Sequence, residues 1–392
     1  MGGIDDSGVA GCAPVGICTM KIVFMVSSMN SGGAERVAAT LSNAWVAQGH
    51  QVLLMSTFPV RGQSFYDLDE GVRLVWLADA LGGRGRSLLA PLWKLREMRR
   101  FVRHEKPDVV VSFLTNVNVM TLIATRKLDI PVVVCERTNP VFSQSVGRFL
   151  AWLRRRLYPL ASAVSVQTRD AAASFAPMVK GVSAIDVLPN PLPPGLEGMA
   201  TAALQPDGQG RFRLVAMGRL RPNKQFDRLI AMFARVCADY PDWDLFIYGE
   251  GPMRQVLESQ VRELGLAGRV QLPGRTPLAW NALQKGALFA MTSRVEGFPN
   301  ALMEAMALGL PCVVYDCPSG PREMTQGGRS ALLVELDDEE HFVASLRTLM
   351  DDPVYRSRLG KEAAQAMRDS YGLPVVLAHW QAVFSRVVEH HE

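Results

Sequence analysis

From Met20 onward, short runs of Val, Ile and Leu alternate with longer stretches in which apolar positions recur at helical spacing. The runs at 21–27, 51–57, 108–113, 131–135, 162–166 and 184–188 are continuous rather than alternating, the pattern of strands buried on both faces. Helical spacing falls between them, at about 34–48, 87–104, 117–126, 147–158 and 168–176. Strand and helix in regular alternation predict a doubly wound parallel sheet. The segment Pro189-Asn190-Pro191-Leu192-Pro193-Pro194-Gly195, followed by polar residues to Gly210, breaks this rhythm and reads as a linker. A second series opens at Phe212, with strands expected at 212–217, 243–248, 287–292, 311–315 and 331–334. The end of the chain reads as helix, closing on VVLAHWQAVFSRVV. Two Rossmann-like, doubly wound α/β domains are therefore expected to face one another across a cleft, at 20–190 and 211–372, with a linker at 191–210. Residues 373–392 are expected to form a helix that packs back on the first domain. Residues 1–19, irregular and Gly-rich, read as a disordered tail or a mis-assigned start.

A length of 392 residues suits two domains, because single cores rarely grow past about 250–300 residues. Hydrophobic content of 48% with 33 glycines and 24 prolines describes a globular chain, and no apolar run approaches the roughly 20 residues of a membrane-spanning helix. The net charge is only +4 and no basic block stands out, so nucleic acid is not expected as a partner. Cys12, Cys18, Cys135, Cys237, Cys312 and Cys317 form no C-x-x-C pair, and several lie in apolar surroundings. They read as reduced thiols of a cytoplasmic protein rather than a disulfide framework or a zinc site. Residues 1–19 have neither a basic start nor a sustained apolar core, so they do not resemble a signal peptide.

The most telling chemistry is a pair of carboxylates, Glu296 and Glu304, bracketing Gly-Phe-Pro-Asn-Ala-Leu-Met between two expected strands. In such a strand–helix–strand unit, ligands sit beyond the carboxyl ends of the strands. Pro299 falls at or near the first helical turn, so the amides of Phe298, Asn300 and Ala301 lie at a helix N-terminus, a natural diphosphate cradle. A carboxylate beside a diphosphate is repelled unless it accepts hydrogen bonds from hydroxyls, which suits sugar and ribose. Gly-rich first turns open both halves, at Gly32-Gly33 and at Gly218 to Lys224. Neither is a G-x-G-x-x-G or a G-x-x-x-x-G-K-[ST] loop, so the fingerprints of dehydrogenases and P-loop ATPases are missing. Each feature also has a plainer reading: Arg219 and Lys224 as a solvated basic loop, Glu304 as an acid favoured by a helix start, Gly32-Gly33 as a tight turn.

Taken together, SGGAER at 31–36, GRLRPNK at 218–224, YGEGPMR at 248–254 and EGFPNALMEAMALGLP at 296–311 resemble the retaining glycosyltransferases of family four, which have the glycosyltransferase B fold. The resemblance runs from Met20 to the end, and CPSGPRE at 317–323 further resembles a subgroup that builds bacterial surface polysaccharides and lipid-linked oligosaccharides. It implies transfer of a hexosyl or N-acetylhexosaminyl unit from a UDP-sugar, or less favourably a GDP-sugar, to a glycan acceptor. That acceptor would be carried on polyprenyl diphosphate, at the inner face of the cytoplasmic membrane. Arg219 and Lys224 match the basic pair that grips the donor diphosphate as the leaving group gains charge. Glu304 matches the carboxylate that holds the ribose, and Glu296 the one beside the transferred sugar. Gly32 and Gly33 would admit the diphosphate, the amides of Phe298, Asn300 and Ala301 would cradle it, and Arg275 aligns with a loop that meets the base. Gly249, Glu250 and Gly251 border the cleft, or simply start a helix.

Arg137 takes the place of a His that many similar enzymes carry near the reacting sugar. With Ser319, Arg322 and Glu323 it is a candidate sugar or acceptor contact. The replacement removes a base, so the resemblance implies a front-face displacement in which the departing phosphate helps take the acceptor proton. Asp67-Leu68-Asp69 and Asp242-Trp243-Asp244 are D-x-D strings, but neither falls at a strand end facing the cleft, and no metal or other cofactor is expected.

Two clusters mix basic and apolar side chains. One has Arg84, Arg86, Lys94, Arg96, Arg99, Arg100 and Arg103 among Leu88, Leu89, Leu92, Trp93, Leu95 and Phe101. The other has Arg148, Arg154, Arg155 and Arg156 among Phe149, Leu150, Trp152 and Leu153. They suit an anionic membrane surface, although a core-facing stripe with a solvated basic face explains them equally. A nucleotide-sugar 2-epimerase shares this architecture, and a non-catalytic nucleotide-sugar binding protein would share the cleft. The basic helices and CPSGPRE count against the first, and the charged residues kept in every motif against the second.

Overall fold

The computed structural model describes residues 19–391, apart from 31, 59, 83–86, 88, 140, 142–145 and 183. The tail 1–18 with Cys12 and Cys18, and also Ser31, Arg84, Arg86, Leu88 and Pro140, lie outside the described residues. The first sheet comprises β1 (Lys21–Val26), β2 (Gln51–Ser56), β3 (Val72–Trp76), β4 (Val109–Phe113), β5 (Val132–Cys135), β6 (Ala163–Val166) and β7 (Ile185–Val187). Its order is β3-β2-β1-β4-β5-β6-β7, every pairing parallel. The second comprises β8 (Phe212–Met217), β9 (Trp243–Tyr248), β10 (Val270–Gly274), β11 (Leu288–Met291), β12 (Cys312–Asp316) and β13 (Leu332–Glu335). Its order is β10-β9-β8-β11-β12-β13, again all parallel.

These are the two Rossmann-like sheets expected from the sequence. In each, the order reverses beside the first strand: β1 pairs with β2 and β4, and β8 with β9 and β11. Connections leave such neighbours toward opposite faces, which opens a crevice at their carboxyl ends. Continuous apolar runs identify the central strands but miss β3 and β10, both on edges. In β3 the middle residues are partly exposed, and β10 alternates and carries Pro273, which an edge tolerates because one side needs no N–H.

The first core centres on Phe24, Trp45 and Phe113, with the Phe24 and Phe113 rings edge to face at 4.6 Å. Into it comes the last helix, Leu373–Glu389, which contributes Val376, Trp380, Val383, Phe384 and Val387. Trp380 meets Trp45 at 5.3 Å between centroids, and Arg386 reaches Asp186 on β7 at 2.6 Å. This helix follows another, Pro353–Tyr371, whose first turn is capped by Asp352 accepting from the Tyr355 amide at 2.8 Å. Ala363, Ala366 and Met367 of that helix lie in the second core with Leu302 and Met306, so consecutive helices serve different domains. The segment 191–210 is itself packed. Leu192, Leu196 and Ala202 are buried in the second core, and the amides of Leu192 and Ala202 donate to the carbonyls of Tyr371 and Leu308, each at 2.7 Å.

The four described cysteines are unpaired and buried, and burial pushes the Cys135 thiol up to about 12. None of the described helices is long and apolar enough to cross a membrane. Trp380→Ala should remove the centre of the contact between the last helix and the first core. A loss of about 3–5 kcal/mol in urea unfolding is expected for such a truncation, and a loss below about 1 kcal/mol would show that the helix does not hold that core together.

Candidate active site

Most of the residues singled out in the sequence converge on the carboxyl ends of β8, β11 and β12. The turn after β8 runs from Gly218 through a short helical turn, Pro222–Lys224, to Gln225 in a left-handed conformation. Arg219 on this turn is exposed, and among the described residues it makes no ion pair. Lys224 instead turns inward to an ion pair with Glu296, whose Oε1 also accepts from the Ser293 hydroxyl at 2.6 Å. The loop after β11 is braced on this turn: the Thr292 hydroxyl donates to the Lys224 carbonyl at 3.0 Å, and the Arg294 amide to the Asn223 carbonyl at 2.8 Å. Lys224 and Glu296 are thus held together by backbone as well as by charge.

The helix after this loop is Asn300–Ala307, with Pro299 as its N-cap. Phe298 therefore precedes the helix, and its ring is buried edge-on against Tyr371 at 5.7 Å. The Asn300 amide donates to the Phe298 carbonyl at 2.9 Å, so that member of the expected cradle is engaged locally. Ala301 is the second residue of the helix, where amides lack intrahelical acceptors. Glu304 is buried, and it is satisfied from both domains. Arg36 of the first domain pairs with its Oε1, and the Trp280 indole donates to its Oε2 at 3.0 Å.

The first domain closes over this wall at several points. Gly33 starts the helix Gly33–Ala47, and a Cβ there would lie 2.9 Å from Asn300 Nδ2. Gly32 is fixed by the Tyr66 phenol, which donates to its carbonyl at 2.9 Å. Gly297 sits against the Arg137–Thr138 backbone, where a Cβ would be 2.9 Å from Thr138 Cα. Asn190 donates to Asn300 Oδ1 at 2.7 Å, while its own Oδ1 accepts from Gln167 at 2.8 Å and from Arg137. Accepting two donors fixes which way that amide points.

Arg137 is not presented to open solvent in the cleft. It is buried, with its guanidinium 4.2 Å from the Phe113 ring centroid, and burial lowers it to about 10. Beside it, Glu136 is buried among Thr115 at 2.8 Å, Tyr158 at 2.5 Å and Arg154 at 3.8 Å, and burial raises its carboxyl. The CPSGPRE element also touches the first domain. Ser319 accepts from Asn139 at 2.5 Å and donates to Asp170 at 3.2 Å, and Glu323 accepts from the Arg169 amide at 2.8 Å. Arg322 is exposed and pairs with Asp316 of its own domain.

Arg275 is exposed just after β10, on the rim. Glu250 pairs with Arg254 at 2.5 Å, which holds its carboxyl below the usual range, and its carbonyl accepts from the Leu220 amide at 3.0 Å. Its loop thus braces the β8 turn. Asp244 is engaged by Arg211 and by Arg269 at 3.1 Å, and Asp69 accepts from the Gly71 amide at 2.8 Å. Among the described residues no group of three or more His, Cys, Asp or Glu could hold a metal ion.

The structure sorts the two basic clusters. Arg154 is buried against Glu136, and Arg99 donates to the carbonyls of Ala124 and Arg126. On the helix Arg148–Leu157, Phe149 (72% exposed) and Trp152 (52%) stack at 6.1 Å, surrounded by exposed Arg148, Arg155 and Arg156. On Ala90–Glu105, Leu92, Arg96, Arg100 and Arg103 face outward while Met98 and Val102 enter the core.

Two parallel, doubly wound domains meeting at their strand ends, with paired acids and bases on the shared face, define a ligand-binding α/β protein with an interdomain site. Two family descriptions fit its two halves: "Glycosyl transferase 4-like domain" over residues 32–191 and "Glycosyl transferases group 1" over residues 205–366. The chain belongs to the glycosyltransferases of this two-domain, glycosyltransferase B fold. It is 27% identical over 371 residues to a Campylobacter jejuni N-acetyl-D-galactosaminyltransferase named for a glycan acceptor on undecaprenol diphosphate, covering 94% of this chain and 99% of that one. It is 26% identical over 397 residues to an exopolysaccharide phosphotransferase of Streptomyces coelicolor, where the match covers 94% of this chain but only 41% of the relative. The crystal structure of Anabaena HepE in complex with UDP and glucose shares the fold, with a TM-score of 0.76 at 20% identity over 93% of this chain and 99% of that one.

Arg36, Trp280, Asn139 and Asn190 are site residues that sequence reasoning did not single out. Arg36 lies inside a motif it quoted, but nothing local connects it to Glu304. Gly320 is a point where the wall tolerates no side chain: its φ is +106°, and a Cβ would lie 2.5 Å from Pro299 Cδ. Gly320→Ala should cost about 1–3 kcal/mol in urea unfolding through backbone strain alone. A wild-type unfolding midpoint would show that residue 320 relaxes out of its positive-φ conformation without cost.

Proposed function

We propose that the protein is a retaining hexosyl- or N-acetylhexosaminyltransferase, moving sugar from a UDP-sugar to a glycan on polyprenyl diphosphate in bacterial polysaccharide or oligosaccharide assembly. The observation that carries this reading is the pairing of Glu296 with Lys224 and of Glu304 with Arg36 of the first domain, with Gly33 close against Asn300 between them. The Campylobacter relative's name and the UDP seen in HepE support it, with a GDP-sugar as the other nucleotide the same chemistry admits.

The donor diphosphate would lie against Arg219 and Lys224 and the amides at the start of Asn300–Ala307. Its arrival supplies Lys224 with a stronger anionic partner than Glu296, freeing that carboxylate to accept from sugar hydroxyls. Glu304 would accept from the ribose. As the bond from the anomeric carbon to the phosphate oxygen breaks, charge accumulates on the departing diphosphate, and the two cations stabilise it there. The acceptor hydroxyl attacks the same face and gives its proton to that phosphate, so configuration is retained. No side chain is needed as base, in keeping with Arg137 at the place where the family resemblance implies a His in many members. Arg219 and Lys224 would take the role that a metal plays in other transferases, and the reaction would need none. Phe149 and Trp152, ringed by arginines, would rest on the anionic inner face of the cytoplasmic membrane, where a polyprenyl acceptor resides.

Incubation with UDP- and GDP-sugars, with and without polyprenyl-diphosphate glycan, tests the reaction. Acceptor-dependent release of UDP is expected, unchanged by EDTA. Isomerised donor without release would indicate an epimerase, and binding without turnover a non-catalytic protein. Arg219→Ala should lower kcat by about 10²–10³-fold, the usual cost of losing a group that meets transition-state charge, and a wild-type rate would remove Arg219 from the site. The double variant Phe149→Ser, Trp152→Ser should lose sedimentation with phosphatidylglycerol vesicles while keeping turnover on a soluble acceptor analogue. Undiminished sedimentation would exclude that surface.

A further inference from the structure

We propose that Arg36 is a positioning residue for the donor, acting from the first domain through the Glu304 carboxylate of the second. This rests on the reading of Glu304 as the ribose acceptor given above.

Arg36 lies on the fourth residue of the helix Gly33–Ala47, where its amide makes the first helical hydrogen bond, to the Gly32 carbonyl at 3.0 Å. The Arg36 side chain crosses the cleft to pair with Glu304 Oε1. Glu304 is otherwise held by the Trp280 indole on Oε2 at 3.0 Å. Each carboxylate oxygen has two lone pairs, so one donor apiece leaves one site free on each oxygen. With one site left on each oxygen, the carboxylate can accept from both adjacent hydroxyls of a ribose when its plane is held facing them. With either anchor removed, the carboxylate can rotate about its last bond, and the two sites no longer face a diol together. A buried carboxylate stripped of its cation also keeps its desolvation cost without compensation.

The geometry separates this role from simple domain closure. Closure is also held by Asn190 on Asn300 at 2.7 Å, by Asn139 on Ser319 at 2.5 Å and by the Arg169 amide on Glu323 at 2.8 Å. None of these reaches Glu304. Removing Arg36 therefore leaves the cleft closed and alters one carboxylate. Because its cation comes from the opposite domain, Glu304 is fully oriented only when the domains are together, and ribose recognition becomes conditional on closure.

The test pairs protein variants with a ligand lacking the hydroxyls. UDP and 2′,3′-dideoxy-UDP are titrated calorimetrically into the wild type, Arg36→Met, Arg36→Lys, Trp280→Phe, Glu304→Gln and the Arg36→Met, Glu304→Gln double variant. Arg36→Met should weaken UDP by about tenfold, the range of one charged hydrogen bond, and leave the dideoxy ligand unchanged. Arg36→Lys should recover part of the loss, Trp280→Phe should repeat the hydroxyl-dependent pattern, and Arg36→Met should add less than about twofold in the Glu304→Gln background. In turnover, donor KM should rise while kcat changes little. Equal losses for both ligands, or additive losses in the double variant, would overturn the proposal. If Glu304→Gln binds UDP as the wild type does, the ribose reading of Glu304 fails and the proposal falls with it. If Glu304→Gln weakens UDP but Arg36→Met does not, only the role of Arg36 fails.

Discussion

A carboxylate taken out of water must be given a partner, and the cleft is organised around that requirement. Glu296 and Glu304 both sit on the second domain's wall, and each is matched by a cation, Lys224 and Arg36 respectively. The cost of burying these acids is met by close pairing with added hydrogen bonds from Ser293 and Trp280. The proposed ligand would enter by exchange, with its phosphates and hydroxyls replacing or joining groups already hydrogen-bonded. An exchange of this kind changes little net polarity, which suits a site that must fill and empty in every cycle.

The fold was legible because most of its strands are central. KIVFMV and its counterparts are buried on both faces and so carry an unbroken apolar signature. Of the four edge strands, β7 and β13 keep enough of it to be read, while β3 and β10 do not, because Arg73 interrupts the first and Gln271 and Pro273 the second. The candidate site was legible wherever its parts share a strand end. Lys224 and Glu296 follow β8 and β11, which pair directly, so topology alone brings them near. Contacts that span the domains have no such signal. Arg36 and Glu304 are 268 residues apart, and only the folded cleft joins them. Arg137 shows the limit of reading a residue by its motif position. Its place in the sequence matches a sugar contact, but its side chain is buried, with the guanidinium over the Phe113 ring and donating to Asn190.

The CPSGPRE element illustrates how one segment serves both domains. Ser319 and Glu323 bind first-domain groups, while Gly320 presses on Pro299 behind the Glu296 loop. The element therefore touches the first domain and the Glu296 loop at once, and these contacts lie within residues 318–323, with the Glu296 amide donating to the Pro318 carbonyl at 3.0 Å.

The last helix has a consequence for how the chain is made. Trp380 and its neighbours complete a core begun by Ile22, Phe24 and Trp45, at the opposite end of the sequence. As the chain emerges from a ribosome, the amino-terminal sheet can form while the patch awaiting that helix is still bare. The second domain, bounded within the chain, can close its own core sooner. Synthesis order and assembly order are thereby uncoupled: the half that is translated first is the half that finishes last, and it meets the cell for a time with an open aromatic face.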